Sequence, residues 1–186
     1  KTSSTRVPES TGAPARRFRH VALVGAMGSG KTAIGVPLAA ALHRPFVDND
    51  AQLLARTGAT AAELAARDGV DAMHAAEADA LRAALDASEP SVIAAAASTI
   101  ADSAARTALR REAFVVWLRA APDTLAARLP GSATRPFAGE QPAHLVAEQA
   151  RERDPLFEEV ADLAVESDRS TPAAVVARLL EELPGH

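Results

Sequence analysis

The sequence predicts a three-layer α/β fold, with a mostly parallel five-stranded sheet covered by helices on both faces. Short apolar runs alternate with longer segments of helical spacing from residue 18 onward, and this alternation is typical of parallel strands joined by helices. The composition, 48% hydrophobic and 24% charged, is that of an ordinary globular domain. With 186 residues, the chain is long enough for one such domain with a sizeable core.

The predicted elements follow one another in a regular order. Strands are expected at 20–25, 45–50, 91–95, 113–118 and 161–165, where apolar residues form short runs. Helices are expected at 31–43, at 51–87 with breaks at Gly58 and Gly69, between the third and fourth strands, near Asp123, after residue 142, and from Thr171 with Pro172 in the first turn. The Pro- and Gly-containing loop at 130–142 is expected to be a mobile lid.

Composition and charge limit the class of protein. Residues 1–17 lack periodicity and predict a disordered tail, with a transit peptide as the alternative, before a single domain at 18–186. A net charge of −4 gives no reason to expect a nucleic acid or an anionic membrane as partner, and no apolar run is long enough to span a bilayer. The absence of cysteine excludes disulfides and thiolate metal sites. We expect a cytoplasmic monomer.

The strongest chemical signal is the stretch "GAMGSGKT" at 25–32. It fits the phosphate-loop pattern G-x-x-x-x-G-K-[ST] and lies between a predicted strand and a predicted helix. Backbone N–H groups at such a helix start favour phosphate oxygens. Lysine occurs only at positions 1 and 31, which indicates a specific need for lysine in the loop. Lys31 is expected to contact the phosphates, and the Thr32 hydroxyl is expected to contact Mg²⁺. The loop therefore predicts a site for ATP and Mg²⁺, with contacts from Gly25, Met27, Gly28, Ser29, Gly30, Lys31, Thr32 and Ala33.

Two acids follow the second predicted strand in "FVDND". Asp48 and Asp50 are spaced i, i+2, so on an extended segment both side chains point to one face. At the carboxyl end of a strand beside a phosphate loop, that face is where α/β sheets bind ligands. One carboxylate is expected to help hold the metal, and the other to accept a proton from an attacking hydroxyl. The alternative is that Asn49 or Asp50 caps a helix starting near residue 51.

These motifs together make the chain resemble the shikimate kinases, small P-loop kinases that phosphorylate one hydroxyl of a cyclic hydroxy acid. The resemblance runs from about residue 20 to 180. It is carried by "GAMGSGKT", the "DND" that matches the family's D-x-D, "VVWLRAAPDTLAARL", "TRPF", "RERDPLFEEVADLAV" and "STPAAVV". These segments occur in the family's order with closely similar spacing, so the resemblance implies the family's fold, its cofactors ATP and Mg²⁺, and a small hydroxylated substrate.

The resemblance also implies roles for individual residues. Asp50 would be the base facing the substrate hydroxyl, Asp48 would lie on the Mg²⁺ side, and Arg135 of the lid would contact the transferred phosphate. Arg128 and Pro172 would sandwich the adenine, and Arg153 would grip the substrate carboxylate. Each of the last three residues has an alternative role. Arg128 could be a solvated helix arginine, Pro172 could start a helix, and Arg153 could belong to a surface run of charged residues.

The sequence departs from the family in the expected substrate site. Where the family has F-R-x-x-E, this chain has "MHAAE", so His74 stands in place of a carboxylate-binding arginine. Where the family's third strand ends in G-G-G, this chain has Ala95, Ala96 and Ala97. Three methyl groups are expected to narrow the cleft, and any backbone conformation with positive φ would be costly for alanine. General alanine richness is the alternative explanation of the alanine run.

These departures leave three functional hypotheses open. The preferred one is an ATP- and Mg²⁺-dependent kinase that acts on a small hydroxylated metabolite other than shikimate. The second is a shikimate kinase that tolerates the changes. The third is a nucleotide-gated binding protein without kinase activity, and the presence of Asp50 and Arg135 argues against it because ATP binding alone requires neither.

Overall fold

A computed structural model describes residues 18–128 and 142–184, and for 142–147 the backbone alone. The expected tail at 1–17 and nearly all of the expected lid lie outside these residues. Five strands are described: β1 (His20–Val24), β2 (Phe46–Asp48), β3 (Val92–Ala94), β4 (Ala113–Arg119) and β5 (Leu163–Glu166). The α-helices of the same residues are α1 (Lys31–Ala41), α2 (Asn49–Thr57), α3 (Ala61–Asp68), α4 (Val70–Asp86), α5 (Ser103–Glu112), α6 (Pro122–Arg128), α7 (Pro142–Val160) and α8 (Pro172–Glu182).

The five strands form one parallel sheet in the order β2-β3-β1-β4-β5. Because parallel strands end at the same edge, the carboxyl ends of β1, β2 and β3 lie side by side there. The register places Leu23 of β1 opposite Ala94 of β3, and Ala94 opposite Asp48 of β2. The predicted α/β fold with its five-stranded parallel sheet is therefore confirmed, and the last residues of three neighbouring strands converge on one crevice.

The sheet is buried on both faces, as the continuous apolar runs of its strands require. All five residues of β1 are buried, and successive side chains point to opposite faces. Ala22 and Val24 belong to a core cluster with residues of α4 and α5, whereas Val21 and Leu23 belong to a second cluster with residues of α1 and α8. The two clusters sandwich the sheet and fix β1, whose end leads into the phosphate-loop motif.

A three-helix unit, α2 to α4, adjoins the edge strand β2. The helices break at the two predicted glycines: Gly58 ends α2 with φ of 70°, and Gly69 separates α3 from α4 with φ of 93°. Thr60 and Glu63 form a capping box at the start of α3. The unit has its own core cluster, which includes Leu53 and Met73. It is thus a separately packed wall beside the carboxyl end of the sheet.

His20 is a fully buried polar residue at the start of β1. The Ser91 backbone N–H donates to its Nδ1 over 3.3 Å, so this nitrogen is an acceptor and also accepts from Ser91 Oγ at 2.8 Å. The other nitrogen, Nε2, therefore carries the hydrogen and donates to the Ala87 carbonyl at 3.2 Å. Burial lowers the pKa of His20, so the neutral ring stabilises the junction of β1 with the segment before β3.

Two details of the sequence prediction are corrected. The second strand ends at Asp48 rather than at residue 50, because α2 already begins at Asn49. The third strand covers only Val92–Ala94, and residues 97–101 form a 3₁₀ helix. None of the described helices is long and apolar enough to cross a membrane.

Candidate active site

The phosphate-loop motif follows β1 and opens α1, as predicted. Its glycines adopt positive φ: 142° at Gly25, 83° at Gly28 and 92° at Gly30. A Cβ at Gly25 would lie 2.5 Å from the Leu118 carbonyl oxygen, and one at Gly28 would lie 2.9 Å from that of Leu125. Both neighbours are backbone atoms, so the loop can hold this tight shape only with glycine at these two positions.

The start of α1 can accept an anion. Its N-cap is Gly30, and no side chain caps the first N–H groups, so these donors point from the helix terminus without a side-chain acceptor. The Lys31 ammonium lies across the loop, donating to the Gly25 carbonyl at 2.9 Å and to the Ala26 carbonyl at 3.0 Å. A flexible ammonium and a row of N–H donors are the groups that bind phosphate oxygens.

Thr32 and Asp48 bring oxygen atoms together beside the loop. The Thr32 hydroxyl donates to Asp48 Oδ2 over 3.4 Å. The other oxygen, Asp48 Oδ1, accepts from the backbone N–H groups of Asp50 at 2.9 Å and Ala51 at 3.4 Å. Asp48 is thus the N-cap of α2, which corrects the alternative that Asn49 or Asp50 would be the cap. A hydroxyl and a carboxylate are ligands that Mg²⁺ accepts, together with phosphate oxygens and water.

Asp50 does not lie on an extended segment beside Asp48, as the i, i+2 spacing predicted. It lies in the exposed first turn of α2, because the Asp48 cap starts the helix one residue after β2. Burial raises the pKa of the Glu77 carboxyl on α4, and the charge of Asp50 raises it further, so Asp50 lies close enough to Glu77 for their charges to interact. Asn49 between the two acids is buried and donates to the Glu77 carbonyl at 3.3 Å, which ties α2 to α4.

Arg128 of α6 contacts the other side of the phosphate loop. Its guanidinium donates to the Gly28 carbonyl at 3.3 Å and to the Ser167 carbonyl at 3.2 Å. Ser167 follows β5 and precedes α8, where Pro172 occupies the first helical turn and is exposed. Arg128 therefore links the phosphate loop to the segment that leads into α8 and Pro172.

Arg153 of α7 lies close enough to His74 and Glu77 of α4 for its charge to affect their pKa values. Burial and the charge of Arg153 lower the pKa of His74, so its imidazole is neutral at pH 7. Burial also raises the pKa of Glu77, whose Oε2 accepts from the Ser98 hydroxyl. Arg153 is half-buried, and burial lowers its pKa while the charges of Glu152 and Glu77 raise it. The structure thus brings together His74 and Arg153, two residues predicted for the substrate site.

Two residues that were not predicted from the sequence, Glu77 and Ser98, also contribute to the candidate site. Glu77 belongs to the segment "MHAAE" and lies four residues from both Met73 and Leu81, on the buried face of α4. A carboxylate at that spacing among apolar residues is a signal for a functional or structural polar contact. Ser98 had no comparable signal, because its position depends on the 3₁₀ helix that follows β3.

The alanine run differs from its expected form. Ala95 is buried in the core, with 2% of its surface exposed, so its methyl does not narrow the cleft. Ala96 and Ala97 are half-buried, and Ala96 has an ordinary extended backbone with φ of −63°. Among the described residues other than glycine, only His43 has positive φ, so these alanines adopt no conformation that would carry the expected cost. Arg135 lies outside the described residues.

Comparison with known proteins agrees with this geometry. The family model for shikimate kinase matches residues 27–184. The chain belongs to the shikimate kinase family. A shikimate kinase of Symbiobacterium thermophilum is 38% identical over 167 residues, covering 88% of this chain and 95% of that protein. A shikimate kinase of Cereibacter sphaeroides is 35% identical over 170 residues, covering 91% and 84%.

Solved structures extend the comparison of this shikimate kinase family member to three dimensions. A shikimate kinase from Acinetobacter baumannii in complex with shikimate has a TM-score of 0.83 and 26% identity, with coverage of 89% of this chain and 92% of that one. A gluconokinase from Sinorhizobium meliloti has a TM-score of 0.59 and 25% identity, with coverage of 92% and 100%. The chain is accordingly a small-molecule kinase with the family's cofactors, ATP and Mg²⁺.

The residues present fit these cofactors. The loop that excludes a Cβ at Gly25 and Gly28, the helix start without a side-chain cap, and the Lys31 ammonium form an anion site. Among the described residues, no group of three or more His, Asp or Glu side chains could hold a metal by itself. The Thr32 hydroxyl and the Asp48 carboxylate beside the loop would suit a Mg²⁺ ion that has few protein ligands and is also held by the phosphates of the nucleotide.

Proposed function

We propose that this kinase transfers the γ-phosphoryl group of ATP to a hydroxyl of a small metabolite, and that shikimate is a poor acceptor. The observation that carries the proposal is His74, a neutral imidazole beside Arg153 where the family's pattern has an arginine. The nucleotide half of the site retains the residues that phosphoryl transfer requires, whereas the acceptor half has lost one of its two expected guanidinium groups.

On this proposal, the phosphate loop and Lys31 bind the nucleotide phosphates, and Thr32 and Asp48 hold the metal. ATP with Mg²⁺, when bound, supplies the phosphoryl group in a charge-neutralised form. Lys31 exchanges its two loop carbonyls for phosphate oxygens, which are better partners because they are charged. Arg128 and Pro172 would lie against the adenine, because Arg128 contacts both the phosphate loop and the segment that leads to Pro172.

Asp50 would accept the proton from the acceptor hydroxyl. Asp50 lies in the exposed first turn of α2, and its charge adds to the effect of burial on the pKa of Glu77, which supports a position near the acceptor wall. A base so placed acts by positioning the hydroxyl and taking its proton as the new O–P bond forms. Arg135 is proposed, from the resemblance alone, to contact the transferred phosphate.

The acceptor half explains why shikimate would bind weakly. A planar guanidinium can make a bidentate, charge-assisted bond to a carboxylate, and a neutral imidazole cannot. Loss of one such bond costs about 1.5–3 kcal/mol, which is about ten- to a hundredfold in binding. The half-buried Ala96 and Ala97 would add to this loss by replacing glycine at the wall, although Ala95 would not.

A second candidate is a shikimate kinase that tolerates these changes, and it is supported by the names of the relatives at 34–38% identity. The experiment that separates the candidates is an ATP-consumption assay with a panel of small polyols, hydroxy acids and shikimate, with the product identified by mass spectrometry. We expect transfer to another hydroxyl compound with a kcat/KM at least about tenfold above that of shikimate. Shikimate as the best acceptor of the panel would contradict the proposal. A cytoplasmic location and a monomeric state remain predictions.

A further inference from the structure

Asn49 is a buried side chain between the two acids of the candidate site, and the proposed mechanism gives it no role. It is the first residue of α2, and only 2% of its surface is exposed. Its Nδ2 donates to the Glu77 carbonyl of α4 at 3.3 Å, across 28 positions of sequence. Since a carbonyl oxygen can only accept, the amide must turn its NH₂ group toward α4 and its Oδ1 away from that carbonyl.

The amide oxygen of Asn49 has no hydrogen-bond donor among the described residues. It is fully enclosed, and an enclosed oxygen without a donor is both rare and unfavourable. The Glu77 carbonyl lies inside α4, so it keeps its helical N–H partner four residues further on even without the amide. A leucine at position 49 would therefore avoid an unpaired atom and create none. Asparagine is thus a poor choice for packing alone, which indicates a role for the amide.

Hydrogen bonds to two different helices hold the first turn of α2. On the nucleotide side, Asp48 caps this turn and its Oδ2 accepts from the Thr32 hydroxyl of α1 at 3.4 Å. On the other side, the Asn49 amide ties the same turn to α4. Asp50 is the next residue, and its backbone N–H donates to Asp48 Oδ1 at 2.9 Å. The two links together therefore set where Asp50 lies relative to the phosphate loop.

We propose, on the basis of the proposed function, that Asn49 is a positioning residue, which places the Asp50 carboxylate for proton transfer by tying the first turn of α2 to α4. Without the amide, α2 still has its Asp48 cap and its packed Leu53, but its first turn can shift relative to α4. A misplacement of about 1 Å at a reacting group costs about 100-fold in rate. Nucleotide binding should not depend on the amide, because the phosphate loop is built from other contacts.

Three substitutions in α2 separate positioning from stability. Asn49→Leu keeps a branched side chain and removes the amide, Asn49→Ala also leaves a cavity, and Leu53→Ala leaves a cavity at another buried position while the amide stays. We expect Tm to be unchanged or higher in Asn49→Leu and lower in the two alanine variants. The kcat should fall about 10- to 100-fold in both Asn49 variants and by no more than about twofold in Leu53→Ala. A kcat that follows Tm across the three variants would overturn the proposal.

A double-mutant cycle shows whether Asn49 acts through Asp50. The acceptor in these assays is the panel compound with the highest kcat/KM, shikimate included. We expect Asn49→Leu to lower the kcat of an Asp50→Asn enzyme by no more than about twofold, because the base is already lost. Mg·ADP affinity in calorimetry should stay within about twofold of the unmodified enzyme. Losses of kcat that multiply in the double variant, or a loss of Mg·ADP affinity as large as that of kcat, would contradict the proposal.

Hydrogen exchange tests the tie to α4 without an acceptor. Backbone amides 50–53 should exchange at least about threefold faster in Asn49→Leu than in the unmodified enzyme, whereas those of α3 should not change; equal exchange at 50–53 would overturn the proposal. Failure of the wider proposed function has a separate signature, because shikimate as the best acceptor contradicts that function and leaves the result of the cycle intact. An unchanged kcat in Asp50→Asn would contradict the base role, and this proposal with it.

Discussion

Asp48 has two roles in this account, and two substitutions separate them. Its Oδ1 caps α2 by accepting from two backbone N–H groups, and its Oδ2 accepts from the Thr32 hydroxyl on the proposed metal side. Asp48→Ala removes the cap and the charge together. Asp48→Asn retains a side chain that caps helices about as well as aspartate, but it removes the negative charge.

The two variants should therefore differ in stability. Loss of an N-cap costs about 0.5–2 kcal/mol, and loss of a negative charge at a helix start costs about 0.3–1 kcal/mol at an accessible site. For a domain of this size, each kcal/mol lowers Tm by about 2–4 °C. We expect Asp48→Ala to lower Tm by about 2–12 °C, whereas Asp48→Asn should lower it by only about 1–4 °C because the cap remains.

Both variants should lose the same metal-dependent function. We expect the Mg²⁺ concentration needed for tight ADP binding to rise by about 10- to 100-fold in each. Thermal unfolding without nucleotide measures the loss of stability, and calorimetry of ADP binding over a series of Mg²⁺ concentrations measures the loss of metal binding. The control is Asp86→Asn, which changes an exposed carboxylate at the end of α4. Unchanged Mg²⁺ dependence in Asp48→Asn would refute the metal role, and an unchanged Tm in Asp48→Ala would refute the cap.

Three further predictions follow from the same contacts. Lys31→Ala should weaken nucleotide binding by at least about tenfold in calorimetry with little change in Tm, because its ammonium donates to two carbonyls of the phosphate loop, where the nucleotide phosphates are expected. Equal binding would contradict its phosphate role. Gly25→Ala should destabilise the fold more than Gly58→Ala, because a Cβ at position 25 would lie 2.5 Å from the Leu118 carbonyl oxygen, whereas a Cβ at position 58 would have no atom within 4 Å. Equal losses of unfolding free energy in denaturant would argue against the tight loop. The free energy of unfolding should fall as the pH decreases below the pKa of a histidine in the unfolded chain, by up to about 1.4 kcal/mol per pH unit, because burial lowers the pKa of His20 and only the unfolded chain then binds the proton. A His20→Asn variant should lose part of this pH dependence, whereas a variant of the exposed His43, His43→Gln, should retain it. A Tm that is flat from pH 7 to 5 would contradict the assignment.

The nucleotide half of the site could be predicted from sequence because its signals are local. The glycines, Lys31 and Thr32 occur in one stretch between a strand and a helix, and backbone geometry alone gives that stretch its shape. The positions of the strands along the chain and the helix breaks at Gly58 and Gly69 also followed from apolar periodicity and from the glycines, whereas the order of the strands in the sheet came from the structure. These features depend on neighbours within a few residues along the chain.

The acceptor half could not be predicted as fully because it depends on side chains far apart in sequence. The position of Asp50 changed because Asp48 caps α2, and a two-residue spacing cannot reveal where a helix begins. Ala95 resembled its two neighbours in sequence but packs into the core. The Ser98–Glu77 hydrogen bond joins residues 21 positions apart, so only the folded chain shows that Glu77 has a partner.

The most direct test of the central claim is the kcat/KM for shikimate in the unmodified enzyme and in a variant that combines His74→Arg, Ala96→Gly and Ala97→Gly. Ala95 is left unchanged because its methyl belongs to the core. We predict weak or absent shikimate turnover in the unmodified enzyme and a rise of about ten- to a hundredfold in the variant, the worth of one bidentate charge-assisted bond. Efficient shikimate turnover by the unmodified enzyme, with no gain in the variant, would contradict the account.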